Sequence, residues 1–557
     1  MRLSKFVKSI SVPLLLSMSF VHGADEANVA WLDHNTLTIK SLSAPKAPSS
    51  LTPEDKVPLG SLWKLFVYIY LADTHAKEAE YMCSTTPSEE DRYCCSPGSS
   101  IDRDGALAHS CAPYFDPNRL HISPKKWKKY WKEKSDVEWI SNIHNLSPET
   151  EVSLHDLLYL LSSIPTQARN EARDALLETA LALYGKNAWS ELGSAIRYKT
   201  YSWHTDHGKA FGGAAGWLAD GTPFWFGANG SSYTALTKWS TPLSLTLPHP
   251  SLLSTSSDDS CVDVSFFEQY PLKAIYQEKS PVKVESGLLK GRYRLEFKNG
   301  NWLSITTQGE MRLIKKPDQH YTIKGRFGLN NYVARVIDRE GNTSQTHAAR
   351  ALAVAARTYL VQNGNYQGGC WNISDSSHTQ RVSATIPSQK GLEAAYFTDD
   401  LILRGAPIQY HTSTPALNQL SWKHAYAQAA SGWNFEKILK HSYPAAAIST
   451  MSGRMECVPL KAAESWLAEN SVKWQSKLNR EGGYEPLDST PTVCELTDGN
   501  PYSDQKRLRI YVRGWRNLND RLTLTHEYLH LAFRYHPNGV NETYIEHLAR
   551  KLTGVEP

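Results

Sequence analysis

Three groups of residues in this 557-residue chain have types and spacings that could do chemistry. Ser61 and Lys64 stand one helical turn apart, which puts the amine beside the hydroxyl. A desolvated, neutral lysine can take the serine proton and make it a nucleophile. Ser110 and the pair Lys199-Thr200 follow. Glu340 is a single carboxylate between two segments of helical periodicity. Leu329, Tyr332, Val333, Val336 and Ile337 mark the first, and Ala348, Ala351, Ala355, Ala356 and Tyr359 the second, which Gly364 ends. An acid fixed at the joint of two helices suits proton delivery to a leaving group. Near the end of the chain, His526-Glu527-Tyr528-Leu529-His530 is HExxH. Its histidines share one helix face as a zinc pair must, and Glu527 stands where it could serve as base.

Each group lies in a longer pattern. The Glu340 region resembles the sporulation stage II protein D/LytB-type family of cell-wall lytic transglycosylases. AVAARTY stands at Ala353 to Tyr359, Asp375-Ser376-Ser377-His378-Thr379-Gln380 is similar to that family's D-x-x-H-x-Q, and Tyr410-His411-Thr412-Ser413-Thr414 to its YH-S/T turn. The resemblance implies Glu340 as catalytic acid and Asp375, His378, Gln380 and His411 as substrate-binding residues. One departure is Glu340-Gly341-Asn342 where the family has Glu-Met-Pro.

The order Ser61-Leu62-Trp63-Lys64, Ser110-Cys111-Ala112, Lys199-Thr200-Tyr201 resembles the SxxK, SxN or SxV, KTG series of penicillin-binding proteins and β-lactamases, with intervals nearest the class D enzymes. It implies catalytic Ser61, Lys64, Ser110 and Lys199, with Thr200 contacting substrate. Tyr201 replaces the glycine that keeps the substrate-pairing strand edge open, and Ala112 removes a polar contact. Slow acylation of Ser61, binding of a peptide stem without turnover, and loss of activity all remain open.

Asn541-Glu542 to Glu546 is similar to the NExxAE helix of gluzincin metallopeptidases, which implies a zinc ion held by His526, His530 and Glu542, with Glu546 orienting a histidine. Only eleven residues separate His530 from Glu542, so Glu546 and His536 stay as alternative third ligands. A strand at Leu508 to Arg513 is expected to offer its edge to substrate.

Residues 1–23 have the form of a secretory signal: Arg2, Lys5 and Lys8, then an apolar run from Ile10 to Val21 too short to span a bilayer. Without these three cations the net charge falls from +4 to about +1, which removes the electrostatic case for nucleic acid. Eight cysteines in an exported chain favour disulfides, two of them local between Cys83 and Cys111; Cys370, near His378, is a candidate metal-binding thiol. Asn28 to Ser41 is read as a hairpin, and Asn299-Gly300 as the turn of another.

The expected fold class is multidomain α+β. It comprises a signal peptide (1–23), a β-lactamase/penicillin-binding-like α/β sandwich (24–245), a linker (246–264), a stage-II-protein-D-like α+β domain (265–447) and a small zincin-like α+β domain (448–557). The order of these parts in one exported chain resembles the YfaQ-like family of bacterial envelope proteins, whose genes lie near those for alpha-2-macroglobulin-like proteins. That resemblance implies a periplasmic location and such a protein as a partner. The leading expectation is a periplasmic protein that cuts peptidoglycan glycan strands through Glu340 and recognises peptide stems through its SxxK domain. A zinc metallopeptidase of the envelope and a non-catalytic binding scaffold are the alternatives.

Overall fold

The computed structural model describes residues 26–555, apart from 46–48, 85–93, 95–99, 182–185, 205–207, 249–260, 279, 281–282, 316–319, 405–407, 412–418, 445, 452–457, 488, 497–500, 505–507 and 516. The expected signal segment, most of the expected linker, Cys95, Cys457 and the YH-S/T turn beyond His411 lie outside the described residues, as does the His411 side chain. The molecule is a multidomain α+β protein.

The first part is built on a five-stranded antiparallel sheet. Its order is Thr36–Ser41, Ala27–Asp33, Pro223–Asn229, Ala210–Trp217, Arg197–His204. His34 and Asn35, both at positive φ, close the first hairpin, the backbone that a tight two-residue turn needs. One sheet face carries a helical lobe centred on Trp63–Asp73. That helix is buried from Trp63 to Ala72, so it forms the middle of the lobe rather than its surface. The other face packs on Lys186–Leu192 and Ser232–Thr246. The basic run at Lys125 to Lys129 lies on the helix Pro124–Lys134, which buries Trp127, Tyr130 and Trp131 and turns its lysines outward.

The second part is a seven-stranded sheet ordered Leu272–Gln277, Gly287–Phe297, Trp302–Lys315, Tyr321–Gly328, Cys261–Phe266, Cys370–Ser374, Asn365–Gln367. Helices Leu329–Glu340 and Thr346–Asn363 pack beside it, the second buried along Ala348, Ala351, Leu352, Ala355 and Ala356. Two expected boundaries shift. Cys261–Phe266 pairs with both Tyr321–Gly328 and Cys370–Ser374, so the sheet begins inside the segment read as a linker. Ala447–Thr450 pairs with Leu401–Arg404, so the second part runs past residue 447. Cys370 is bonded to Cys261 across neighbouring strands, which removes it as a metal-binding thiol. Cys94 is bonded to Cys111, and Cys83 and Cys494 are also in disulfides.

The third part has a four-stranded sheet, order Val458–Pro459, Thr492–Glu495, Arg509–Val512, Tyr502–Asp504, under the helices Lys461–Leu478, Leu518–Ala532 and Glu542–Thr553. Arg509–Val512 is paired on both sides, so it is not the free edge expected of Leu508 to Arg513. Tyr502–Asp504 is the edge beside the HExxH helix instead.

The first two parts share a buried interface. Ser194 Oγ donates to the carbonyls of Phe397 (3.1 Å) and Asp399 (2.7 Å), and Trp189 packs edge-on against Phe435. Arg197 Nη2 lies 3.0 Å from both Asp399 Oδ2 and Asp400 Oδ2.

Candidate functional site

The structure brings some members of each of the three groups close together. Ser61 sits in the short turn Gly60–Leu62 that leads into the buried helix Trp63–Asp73. Gly60 has φ +46°, and a Cβ there would meet the Ser202 carbonyl at 2.9 Å, so only glycine lets this turn lie against the strand that carries Lys199. Lys64 Nζ lies 3.3 Å from Ser61 Oγ, 3.1 Å from Ser110 Oγ and 2.8 Å from the Ser110 carbonyl. Ser110 caps its helix in the left-handed region, next to the Cys94–Cys111 bridge. Burial pushes the Lys64 amine down to about 8. Lys199 is fully buried and is held well below the lysine range by burial first and by the Lys64 charge second. Its Nζ donates to the Thr200 carbonyl (3.0 Å), and Thr200 follows it, half-buried, on the outer strand of the sheet. Tyr201 does not obstruct that strand. Its ring turns inward against Gly60, 1% exposed, and its hydroxyl donates to the Phe226 carbonyl (3.2 Å).

Glu340 is the last residue of its helix, as the periodicity required, and is half-buried. Its Oε1 accepts the Arg381 backbone N–H (2.6 Å). Burial raises its pKa; the Asp375 charge adds to this, and the Arg381 N–H opposes it. The position compounds the effect, because a carboxylate at a helix C-terminus faces the negative end of the helix dipole. Phenols from three segments surround it. Tyr332, Tyr359 and Tyr410 all have raised pKa values, by burial first and the Glu340 charge second. Gln380 is fully buried at the centre, accepting from the Tyr332 hydroxyl and donating to the Ala356 carbonyl (3.0 Å) and the Tyr410 hydroxyl (2.7 Å). Asp375 Oδ1 accepts the Val382 N–H (2.9 Å) and so fixes the loop that supplies the Arg381 N–H. Of the D-x-x-H-x-Q residues, Asp375 and Gln380 turn in, while His378 is exposed and stays outside this network. Tyr332 and Tyr359, which spacing placed only on helix faces, and the Arg381 amide are the members that the sequence did not assign to the site.

At the HExxH helix, His526 Nδ1 donates to Glu546 Oε2 (3.0 Å), and Glu546 Oε1 accepts from Arg550 Nε (2.7 Å). His530 Nδ1 donates to the Gly539 carbonyl (2.7 Å). In the neutral form each ring then carries its proton on Nδ1, which leaves the two Nε2 lone pairs facing each other across 3.0 Å. Glu542 completes the group, 3.1 Å from His526 Nε2 and 3.6 Å from His530 Nε2. Two lone pairs and a carboxylate repel one another unless a cation lies among them. Ligands 2.0–2.1 Å from a tetrahedral zinc ion stand about 3.3 Å apart, so this donor set fits one. Glu546 is taken up by His526 and Arg550, and His536 by the Asn538 N–H (3.2 Å), so neither alternative third ligand belongs to the group. Glu527 is buried beside it, its pKa pushed up to about 8 by burial and by Glu542.

These features define a multidomain protein with three separate candidate sites. Residues 318–398 match the family model described as "Stage II sporulation protein", and residues 86–210 and 418–538 match "Predicted secreted protein (DUF2300)". The chain belongs to the family of the Escherichia coli (strain K12) protein "Uncharacterized protein YfaQ", to which it is 42% identical over 522 residues, 93% of this chain and 94% of that one. Solved structures similar to it include a chromosome-encoded β-lactamase mutant of Vibrio parahaemolyticus (11% identity, 40% of this chain, 92% of that chain, TM-score 0.27). A β-lactamase from Xanthomonas campestris pv. campestris is another (10% identity, 40% and 91%, TM-score 0.27). Scores this low carry no inference about chemistry. Among the described residues, no helix is long and apolar enough to cross a membrane.

Proposed function

We propose that the chain is a secreted peptidoglycan-processing protein. Glu340 cleaves glycan strands by lytic transglycosylation, and the Ser61 group binds peptide stems or is acylated by them. The observation that carries this reading is the setting of Glu340: one half-buried carboxyl with a raised pKa, held by the Arg381 N–H among three phenols. The stage II sporulation match over 318–398 supports a peptidoglycan-related role. In the reaction, the Glu340 carboxyl gives its proton to the glycosidic oxygen as the bond from that oxygen to C1 breaks. The C6 hydroxyl of the same sugar closes onto C1 and returns its proton to Glu340, leaving an anhydro end. One acid/base suffices, where hydrolytic glycosidases need two carboxylates. Mass spectrometry of sacculi incubated with the purified protein tests this; a digest without anhydro-muropeptides removes the reading.

Lys64 makes a separate prediction for the first part. With its amine pushed down to about 8, the neutral fraction rises about tenfold per pH unit below that value and levels off above it. Labelling of Ser61 by a fluorescent penicillin should follow the same curve and vanish in Ser61→Ala. Absent or pH-independent labelling removes the acylation role and leaves stem binding.

A second reading, a zinc metallopeptidase, is favoured by the convergence of His526 Nε2, His530 Nε2 and Glu542. These three would hold the metal, which would supply Lewis-acid polarisation of a water or carbonyl. Glu546 and the Gly539 carbonyl keep both imidazole protons on Nδ1, and Glu527 stands one residue from His526 to hold a proton. The purified protein is expected to carry about one equivalent of zinc. His526→Ala should lose it, and Glu546→Gln should weaken its affinity by about 10–100-fold. Metal analysis that finds no zinc in the wild type removes this reading.

A further inference from the structure

Three residues of the helix Leu329–Glu340 hold the segment 381–388, which supplies the N–H that Glu340 accepts. Glu340 itself holds one end. Asp338 holds the other, accepting the Ser388 N–H (2.5 Å) and hydroxyl (2.7 Å). Arg335 holds the middle. Its Nη1 donates to the Ser383 (3.1 Å) and Thr385 (2.6 Å) carbonyls, and its own carbonyl accepts the Ser383 N–H (3.1 Å). The guanidinium is fixed in turn, with Nε donating to Asn331 Oδ1 (2.8 Å) and Nη2 to Glu310 Oε1 (2.6 Å). Arg335 is 1% exposed and lies over the Phe327 ring. Burying a charge this deeply is costly, and a well-packed apolar side chain of similar volume often serves stability as well. What an apolar side chain cannot supply is the grip on two carbonyls.

That grip bears on the acid. Ser383 comes two residues after Arg381, whose N–H must stay within about 3 Å of the carboxyl to bond it. The neighbouring contact, Asp375 Oδ1 with the Val382 N–H, closes the loop on itself. Arg335 instead ties the loop to the helix that carries Glu340. With Oε1 taken by the Arg381 N–H, the proton of the acid is carried on Oε2. The groups that face Glu340 are Asp375, Arg381, Arg339 of its own helix, and the phenols of Tyr332, Tyr359 and Tyr410. Glu310 and Asp338 face Arg335. Loss of the Arg381 N–H removes a contact that favours the carboxylate, so Glu340 then keeps its proton to higher pH.

We infer that Arg335 is a positioning residue for Glu340: by tying the segment 381–386 to the acid's own helix, it keeps the Arg381 N–H on Oε1 and so leaves Oε2 to carry the proton for the leaving group. The inference rests on the lytic reading of Glu340 and names the residue that fixes the acid's orientation and the upper limit of its working pH.

The test reads the protonation of Glu340 in the full chain without needing turnover. A water-soluble carbodiimide with an added amine couples to protonated carboxyls. Mass spectrometry of the peptide that carries Glu340, with exposed Glu149 as internal reference, gives the midpoint of protonation. Arg335→Met is expected to raise that midpoint by about one pH unit, the order of one hydrogen bond to a charged acceptor. The alkaline limit of anhydro-muropeptide release should move with it. Arg335→Lys keeps the charge but offers a single nitrogen to the Ser383, Thr385, Glu310 and Asn331 acceptors, so it should raise the midpoint by less. In an Arg381→Pro background neither substitution should raise it further, because the N–H through which Arg335 acts is gone. A merely structural role lowers the melting temperature and the yield without moving the midpoint. An unchanged midpoint in both variants overturns the inference. So does a shift that persists undiminished in the Arg381→Pro background, which assigns it to the guanidinium charge. Should Arg335→Met fail to melt cooperatively, Arg335→Lys decides by the same two outcomes. Failure of the lytic reading shows separately, as no anhydro products from the wild type at any pH, while the labelling midpoint still decides the role of Arg335.

Discussion

Glu340→Gln is expected to lower the yield of anhydro-muropeptides from sacculi by about 10²–10⁴-fold, the usual worth of a positioned general acid. The substitution suits the site. A glutamine oxygen can still accept the Arg381 N–H, so the Asp375–Gln380 loop and the helix joint keep their fastening, but an amide has no proton to give at working pH. Thermal stability should therefore stay near the wild-type value while turnover falls, which separates loss of the acid from loss of the fold. The pH profile gives an independent check. Because burial raises the Glu340 pKa, the protonated acid persists to higher pH than an exposed glutamate would. Activity should thus fall on the alkaline side of that raised value, as the proton is lost. Arg381→Pro, which removes that N–H and the Arg381 charge together, should shift the fall to still higher pH, since both lower the pKa. Equal anhydro yield from wild type and Glu340→Gln refutes the role assigned to this carboxyl.

The chemistry of each site was legible in the chain where its parts lie within a helical turn or two. Ser61 with Lys64, His526 with His530, and Glu340 at the end of an apolar-striped helix all follow from a period of 3.6 residues. Of the distant contributors, Asp375 and Gln380 were named only through the family pattern, and the contacts they make were not legible. Tyr332 and Gln380 meet 48 positions apart, and the Arg381 amide reaches Glu340 from 41 away; neither spacing has a local signature. The direction of the Tyr201 side chain was not legible because a residue on an outer strand can face either way. The room left by Gly60 and the bond to the Phe226 carbonyl decide that it turns inward. The third part looked poorer in strands than it is because Val458–Pro459, Thr492–Glu495 and Tyr502–Asp504 are two to four residues long, too short for alternation to register. Cys261–Phe266 does alternate, its Val262, Val264 and Phe266 facing the core, but it follows a Ser- and Asp-rich stretch that reads as connection.

The other large effect is expected at Arg197, which joins the first two parts. It opens the strand that carries Lys199 and is 2% exposed, with Nη2 between Asp399 and Asp400. Asp399 Oδ1 accepts from Asn330 Nδ2 (2.6 Å), and Asn330 Oδ1 accepts from Arg357 Nη2 (2.9 Å). Arg357 in turn donates to the carbonyls of Thr398 (2.6 Å) and Leu401 (3.0 Å). A chain of polar contacts thus runs from the Lys199 strand to the helices beside Glu340. Arg197→Met keeps the volume and removes the charge that contacts both adjacent carboxylates, leaving them the weaker influence of Arg173 and Arg357. Breaking a buried pair in this way costs about 3–5 kcal/mol, and the lower end applies because both aspartates keep some water contact. The sign of its pH dependence follows from Asp400, whose pKa burial and Asp399 push up to about 7 while Arg197 opposes them. An acid whose folded pKa lies above its unfolded one takes up a proton on folding as pH falls through the folded value, so stability rises toward lower pH. The deficit of Arg197→Met should therefore be largest near pH 8 and smaller at pH 5, where protonation relieves the repulsion. Adding Asp400→Asn should recover part of it at pH 8 and little at pH 5. Urea midpoints of the three proteins at both pH values check this; a deficit that does not change with pH, or no deficit, would mean the ion pair does not fasten the two parts together.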